Sequence, residues 1–128
     1  MNQIQKLLYD SLIKTSHVEG AALIKIKEGL AFASPPHFHL KPQEIQAIIG
    51  AFKTPPVIRR EGINFREKTY KCIRADKNSI YAKCEEEGIV VVRTKSHILL
   101  AMYREGMYPS VCVEAAEKLG SYLREKEM

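Results

Sequence analysis

Hydrophobic residues recur at helical spacing near both ends of the chain. Between Asn2 and Lys14 the apolar positions lie three or four residues apart, and Asn2 with Gln5 can cap the first turn. A second stripe of the same period runs from Pro109 to Lys126. The pattern predicts one amphipathic helix at each end of the sequence.

The hydrophobic period changes to two in the intervening segment. Ala22, Ile24 and Ile26 alternate with Lys25 and Lys27, which predicts a strand with one solvated face. A tight turn and a second short strand follow, so the two strands are expected to form a hairpin. The second strand of this hairpin is Leu30–Ser34. The further predicted strands are Ile63–Phe65, Thr69–Ala75, Ser79–Cys84, Ile89–Thr94 and Ile98–Arg104.

Prolines delimit a short helix between the hairpin and the later strands. Pro42 suits its first turn, and Pro55-Pro56 is expected to end it. The later connections are too short for crossover helices, so those strands are predicted to form an antiparallel meander. The predicted fold is α+β, a single domain over residues 1–128. Its N- and C-terminal helices pack side by side on one face of the sheet, and the short helix lies elsewhere.

Composition limits the class of protein. The chain has 128 residues, 45% of them apolar and 27% charged, which is typical of one folded domain. No run approaches the roughly 18 to 20 apolar residues of a spanning helix, and the first residues lack the apolar core of a signal peptide. The three cysteines are widely spaced and odd in number. We therefore expect a cytoplasmic protein without a transmembrane segment.

Motifs for catalysis and for cofactors are missing from the sequence. The seven glycines stand singly and form no phosphate-binding loop. His37 and His39 supply only two of the three or four ligands that a metal site needs. Cys72 and Cys112 occupy apolar periodic positions that are typical of unreactive core thiols. The sequence predicts a binding protein that is not an enzyme, with no cofactor and no metal.

Basic residues outnumber acidic ones, and part of the excess is clustered. The formal net charge of +5 favours an anionic partner, which leaves phosphoinositide lipid, an acidic protein and nucleic acid open. Arginines and lysines concentrate between positions 59 and 77, but strict strand alternation puts Lys71 and Arg74 on opposite faces. Tyr70 and Tyr81 are a small supply of aromatic rings for base stacking, which argues against nucleic acid.

The order of elements and several short motifs resemble the profilin family over nearly the whole chain. Lys41–Ile45 looks like the start of that family's second helix, and Glu117–Leu123 looks like part of its C-terminal helix. Residues similar to those of profilin strands are Gly62, Tyr70, Ile73 and Arg74. The segments most similar to the divergent fourth class of vertebrate profilins are Ala21–Ile26, Ala33–Pro35, Arg59–Gly62, Ile73–Asp76 and Val90–Thr94.

The resemblance implies three kinds of ligand: monomeric actin, proline-rich peptides between the terminal helices, and acidic phosphoinositides. Proline-rich recognition requires a flat aromatic groove. The family places tryptophans there, but this sequence contains none, so polyproline binding is expected to be weak or absent. The positions that correspond to the groove are Gln5, Leu8, Tyr9, Ala31 and Tyr122.

Actin binding is expected to be reduced. The contacts that the resemblance implies are Arg74, Val113 and Glu114. Arg59 and Arg60 replace apolar or neutral contacts of the family, and Glu85–Glu87 lies where many profilins are basic. A reversed charge at a complementary interface slows encounter and adds repulsion.

Acidic phospholipid is the ligand that requires the least exact geometry, because each basic side chain near a membrane contributes about 1 kcal/mol. The leading expectation is therefore a cytoplasmic, cytoskeleton-associated protein that binds acidic phospholipids. The residues expected to do so are Arg59, Arg60, Lys68, Lys71, Arg74, Arg124 and Lys126. Two alternatives stay open: an actin-monomer-binding regulator of polymerisation, and an adaptor that holds a protein partner between the helices through Tyr9 and Tyr122.

Overall fold

The computed structural model of the protein describes residues 2–127. Seven strands in this range form one sheet, and helices cover both of its faces. The helices are α1 (Gln3–Ser11), α2 (Pro42–Ala51), α3 (Pro55–Glu61) and α4 (Pro109–Lys126), with a 3-10 helix at Ile13–Thr15. The strands are β1 (Gly20–Lys25), β2 (Leu30–Ser34), β3 (Ile63–Phe65), β4 (Lys68–Ala75), β5 (Ser79–Cys84), β6 (Glu87–Arg93) and β7 (His97–Tyr103). None of these helices is long and apolar enough to span a membrane.

The strand order across the sheet is β2-β1-β7-β6-β5-β4-β3, and each neighbouring pair is antiparallel. Strands β3 to β7 form the predicted meander. β1 pairs with its hairpin partner β2 on one side and with β7 on the other. The second pairing places Gly20 opposite Met102, so it joins the two ends of the sequence in the middle of the fold.

Helices α1 and α4 cover the same face of the sheet, as the sequence predicts. Leu8 of α1 and Leu119 of α4 belong to one buried cluster with side chains from β1, β6 and β7. Gly120 permits close approach of α4, because a Cβ at this position would lie 2.6 Å from Val92 Cγ1. The predicted α+β fold, with the two terminal helices on one face, is confirmed.

Helices α2 and α3 cover the opposite face. Ile45 and Ile48 of α2 join Ile58 of α3 in a second buried cluster with alternate residues of the strands. The prediction that Pro55-Pro56 only ends a helix and precedes strands is wrong. Proline is tolerated in a first helical turn, where the backbone N–H has no helical partner, so the pair begins α3.

β1 is covered on both faces, which corrects the prediction of a solvated face. Ala22 and Ile24 belong to the cluster beneath α2 and α3, whereas Ala21 and Leu23 belong to the cluster beneath α1 and α4. The alternation with lysine misled the prediction because Lys25 is the last residue of the strand.

A β-bulge in β4 corrects a second sequence-based expectation. Cys72 pairs with Ala82, but the register then shifts and Arg74 pairs with Tyr81. The extra residue in the strand reverses the alternation. Lys71 and Arg74 consequently lie on the same face of the sheet, the face that α4 covers in part.

Candidate functional site

One end of the sheet collects basic side chains. The β4–β5 and β6–β7 turns lie at this end because alternate turns of an antiparallel meander share an end. The β1–β2 turn joins them because β1 pairs antiparallel with β7, which places Lys25 opposite His97. Ser96 O accepts the Ile26 N–H at 3.0 Å, and Asn78 O accepts the Arg93 N–H at 2.8 Å, so the turns are in contact. The C-terminal turn of α4 lies beside them. The basic end is defined by Lys25, Lys27, Lys77, Arg93, Lys95, Arg124 and Lys126.

Carboxylates at the basic end are fewer, and two of them are engaged by backbone groups. Asp76 Oδ1 accepts from the N–H groups of Asn78 and Ser79, both at 2.8 Å. Glu127 Oε2 accepts from the Lys95 N–H at 2.9 Å. The acidic residues at this end are Glu28, Asp76, Glu125 and Glu127. The local charge is therefore positive.

The opposite end of the sheet has the opposite charge. The acidic end is defined by Glu19, Glu67, Glu85, Glu86, Glu87 and Glu105, which precede β1, follow β7 or lie at the β3–β4 and β5–β6 turns. Among the basic residues there, Lys68 forms an ion pair with Glu87. The hydrogen bond that Lys68 donates to the Glu87 carboxylate raises the pKa of Lys68. The sheet thus separates positive from negative charge along the direction of its strands.

Part of the predicted lipid-binding set lies at or beside the basic end. Arg59 Nη2 donates to Ala75 O at 2.7 Å, at the start of the β4–β5 turn. Arg74 Nη2 donates to Ser79 Oγ at 2.9 Å, where β5 begins after the same turn. The predicted residues that the structure brings to this region are Arg59, Arg74, Arg124 and Lys126.

The other predicted lipid-binding residues lie elsewhere. Lys68 is at the acidic end with its carboxylate partner. Lys71 is exposed within β4, opposite Lys83 of β5. Arg60 Nη2 lies 3.1 Å from Glu61 Oε2 on α3. The structure therefore does not gather the seven predicted residues into one surface.

The sequence-based set also omitted basic residues that the fold brings to the basic end: Lys25, Lys27, Lys77, Arg93 and Lys95. Each lies at the end of a strand or in a short turn. The rule that alternate turns of a meander share an end could have grouped the last three of them. The hairpin lysines join them only because β1 pairs with β7.

A groove with a cavity of about 540 Å³ lies between α1 and α4. Its apolar lining comes from Leu7, Val111, Ala115 and Leu119. Tyr122 is the one aromatic residue among the lining residues, all of which fall within the described part of the chain. Glu114 and Lys118 add charge to the rim. The groove offers one exposed ring rather than a flat aromatic surface.

The position that sequence analysis assigned to Leu8 in this groove is wrong. Leu8 is fully buried in the core beneath α1, and Leu7 lines the groove instead. One residue turns a helix by about 100 degrees, so a register error of one moves a side chain from groove to core. Tyr9 is 41% exposed and is not among the lining residues, whereas Tyr122 lies in the groove as expected.

Two further predicted groove residues lie in a different cavity. Gln5 and Ala31 line a space of about 370 Å³ beside β2 and the start of α2. Gln5 Nε2 donates to Ala33 O at 3.0 Å, which fixes α1 to β2. These residues therefore do not contribute to the groove between the terminal helices.

α4 separates the three residues expected to contact actin. Arg74 Nη2 lies 3.0 Å from Glu117 Oε1, on the flank of α4 that faces β4 and β5. Val113 precedes Glu117 by four residues, so it shares that flank. Glu114 lines the groove on the α1 side of the helix. Arg74 and Val113 can belong to one surface, but Glu114 cannot join them there.

Burial lowers the reactivity of two cysteine thiols that could otherwise act as nucleophiles. Burial raises the pKa of Cys112 to about 12 and also raises that of Cys72. A thiol with a raised pKa supplies little thiolate near neutral pH. His37 and His39 are exposed, and within residues 2–127 no three side chains of metal-ligating type gather.

Comparison with known proteins gives concordant matches. The family model described as Profilin matches residues 2–128. Profilin-4 of Rattus norvegicus is 53% identical over 98% of this chain and 98% of its own length. The profilin of Schizosaccharomyces pombe is 36% identical over 88% of this chain and 89% of its own. The crystal structure of Acanthamoeba castellanii profilin II has a TM-score of 0.86 at 31% identity and covers 97% of this chain and 98% of that chain.

Proposed function

This chain belongs to the profilin family, and from that premise we propose that it is a non-enzymatic, cytoskeleton-associated protein of the cytoplasm whose main ligand is acidic phosphoinositide. Proteins of this family are in general actin-binding regulators of the cytoskeleton. The proposal adds that membrane lipid is bound through the basic end of the sheet. It also adds that polyproline and actin binding are weakened in this chain.

The observation that carries the lipid proposal is the separation of charge between the two ends of the sheet. Lysines in turns, such as Lys27, Lys77 and Lys95, are exposed and extend beyond the strand ends. Side chains in this position reach a flat anionic surface together, without a complementary cavity. The acidic end is then directed away from the membrane, which reduces repulsion.

Co-sedimentation with vesicles tests the lipid proposal. Lys27→Glu/Lys77→Glu should weaken binding to vesicles containing phosphatidylinositol 4,5-bisphosphate by at least about 30-fold, because each lysine near the surface contributes about 1 kcal/mol. Lys14→Glu/Lys118→Glu makes the same change in net charge at exposed sites in and beside the groove between α1 and α4, and it should have a much smaller effect. Binding should also fall as salt is raised.

Two results would contradict this proposal. One is equal binding to neutral and anionic vesicles with no dependence on salt, since that excludes an electrostatic mechanism. The other is an equal loss in both double variants, since only the net charge would then matter. A circular dichroism spectrum of each variant checks that the fold is intact.

The proposed weakness of polyproline binding rests on the groove between α1 and α4. A proline-rich peptide in polyproline II conformation docks on several aromatic rings, whereas here Tyr122 supplies one. The Tyr122 ring also has Lys126 Nζ at 5.5 Å from its centroid. Titration with a proline decamer followed by NMR should give no saturation, and saturable shifts at Tyr122 would contradict the proposal.

Monomeric actin is the second candidate ligand, favoured by the bulge in β4. The bulge brings Lys71 and Arg74 to the face beside Val113 of α4, which makes a mixed basic and apolar surface. The ion pair of Arg74 with Glu117 opposes this role, because actin would have to compete with it. A pyrene-actin polymerisation assay tests this role. Inhibition of polymerisation that is lost in Arg74→Glu and kept in Lys118→Glu would favour actin binding. No effect on polymerisation at high protein concentration would exclude it.

A further inference from the structure

The side chain of Glu127 occupies a set of hydrogen-bond donors in the β6–β7 turn. Glu127 Oε1 accepts from Thr94 Oγ1 at 2.8 Å and lies 2.8 Å from His97 Nδ1. Glu127 Oε2 accepts from the Lys95 N–H at 2.9 Å. An ionised carboxylate only accepts hydrogen bonds, so Nδ1 of His97 carries the proton in this contact. The turn therefore presents three donors to a single anionic group.

Two of these donor residues, Thr94 and Lys95, line a cavity with positive walls. The cavity has a volume of about 510 Å³, and its basic lining residues are Arg93, Lys95 and Arg124. Arg124 Nη2 donates to Arg93 O at 2.9 Å, which holds the guanidinium against the end of β6. Among the lining residues, all within the described part of the chain, Glu127 is the acidic one. The cavity thus has more positive charge than its own carboxylate neutralises.

The environment of Glu127 stabilises a negative charge. Burial acts to raise the pKa of Glu127, but the hydrogen bonds of His97, Thr94 and the turn backbone outweigh it and hold the pKa below its ordinary value. Donors that stabilise one anion in this way are oriented before any ligand arrives. A second anion with the same approach would meet the same donors.

We propose that this cavity is a binding site for a phosphomonoester group, and that Glu127 is an internal competitor that occupies the site until phosphate displaces it. If the phosphate belongs to a lipid headgroup, this inference rests on the proposed function. The same cavity also accepts a soluble phosphate, and for that ligand the inference is independent of the proposed function. A phosphomonoester has three terminal oxygens and more negative charge than a carboxylate, so it can engage the three donors and an arginine together. Glu127 follows α4 directly, so its displacement leaves the helix intact.

Removal of the competitor tests the proposal. Glu127→Gln should increase the affinity for soluble inositol 1,4,5-trisphosphate by at least about tenfold, since a neutral amide competes less well for donors oriented towards an anion. Arg124→Gln in the Glu127→Gln background should abolish most of the gain. Isothermal titration calorimetry measures both effects, and thermal denaturation checks that each variant is folded.

Glu125→Gln is the matched control. Glu125 lies two residues away and is exposed, and its substitution makes the same change in net charge without emptying the cavity. Its affinity for inositol 1,4,5-trisphosphate should rise much less than that of Glu127→Gln. An equal rise in both variants would overturn the proposal, because general electrostatics would then account for it, and no rise in Glu127→Gln would overturn it as well.

A vesicle arm separates this inference from the proposed function. One outcome is that Glu127→Gln binds inositol 1,4,5-trisphosphate, while neither the unmodified protein nor Glu127→Gln binds phosphatidylinositol 4,5-bisphosphate vesicles. This outcome would support the phosphate site in the cavity and refute the membrane role. Vesicle binding by the unmodified protein, with no change on Glu127→Gln for either probe, would support the membrane role and refute the competitor.

Discussion

The two ends of the sheet differ in charge and also in how their turns are held. At the acidic end, a Cβ on Gly88 would overlap the ring of Tyr103, and the hydroxyls of Tyr103 and Tyr81 lie 2.7 Å apart. At the basic end, Glu127 accepts from Thr94 and the turn backbone. Close packing is insensitive to salt and pH, whereas contacts of charged groups respond to both. The basic end, which we propose binds the ligand, is thus the end at which ions can change the contacts of the turns.

The largest effect on stability is expected from Gly88→Ala at the acidic end. The added Cβ would displace the buried ring of Tyr103, and such overpacking costs about 1 to 3 kcal/mol of the free energy of unfolding. Urea denaturation measures it. Gly50→Ala is the control, because a Cβ there has no atom within 4 Å and alanine favours the α2 helix by up to about 1 kcal/mol. Loss of stability in both variants would show that the ring contact is not the cause.

A smaller loss is expected from Tyr81→Phe. The hydroxyl of Tyr103 is left without its partner, in a residue that is only 1% exposed, which costs about 1 kcal/mol. The loss should be the same at low and high salt, because no net charge is involved. A loss that high salt removes would contradict the description of this end as held by packing and neutral hydrogen bonds.

Acid should affect the basic end through Glu127. A carboxyl group whose pKa is lowered in the folded state stabilises that state above its unfolded pKa, and the contribution is lost as pH falls through the folded pKa. At neutral pH the unmodified protein should therefore have a larger free energy of unfolding than Glu127→Gln. The two values should converge below the ordinary glutamate pKa of about 4.3. A difference that persists unchanged at pH 3 would contradict the charged contact.

The smallest effect is expected from Lys68→Ala. Its ion pair with Glu87 at the acidic end is substantially exposed to solvent, and solvent and salt screen such a pair, so the loss of stability should be smaller than that of Tyr81→Phe. Urea denaturation at two salt concentrations measures the change in the free energy of unfolding. A loss larger than that of Tyr81→Phe would mean that charge, and not packing, holds the acidic end as well.

Local periodicity predicted the elements that are regular. The predicted bounds of α4 and of β5 agree with the structure at both ends. α3 was missed because a proline pair ends one helix and starts another equally well, and the choice depends on what Ile58 can pack against. The bulge in β4 depends on the register with β5, so the sequence of β4 alone does not encode the face on which Arg74 lies.

The candidate site was predictable only where its residues are neighbours in sequence. Arg124 and Lys126 follow from the pattern of one helix. Lys25 joins Arg93 at the basic end only through the pairing of β1 with β7, which is a contact between distant segments. The contact of Glu127 with Thr94 has the same origin, since it joins the residue after α4 to a turn between two strands.

The place of β1 between β2 and β7 also determines the order in which the molecule can be completed. The core beneath α1 combines Leu8 and Leu23 with Val90 and Leu119, from opposite ends of the sequence. Contacts between such distant residues slow folding, because the long intervening loop must close first. During synthesis the first hairpin emerges with one edge of β1 unpaired and with no cover from α4. A nascent chain that stalls before β7 therefore exposes a strand edge and an apolar helix face together, which is the kind of surface that chaperones bind.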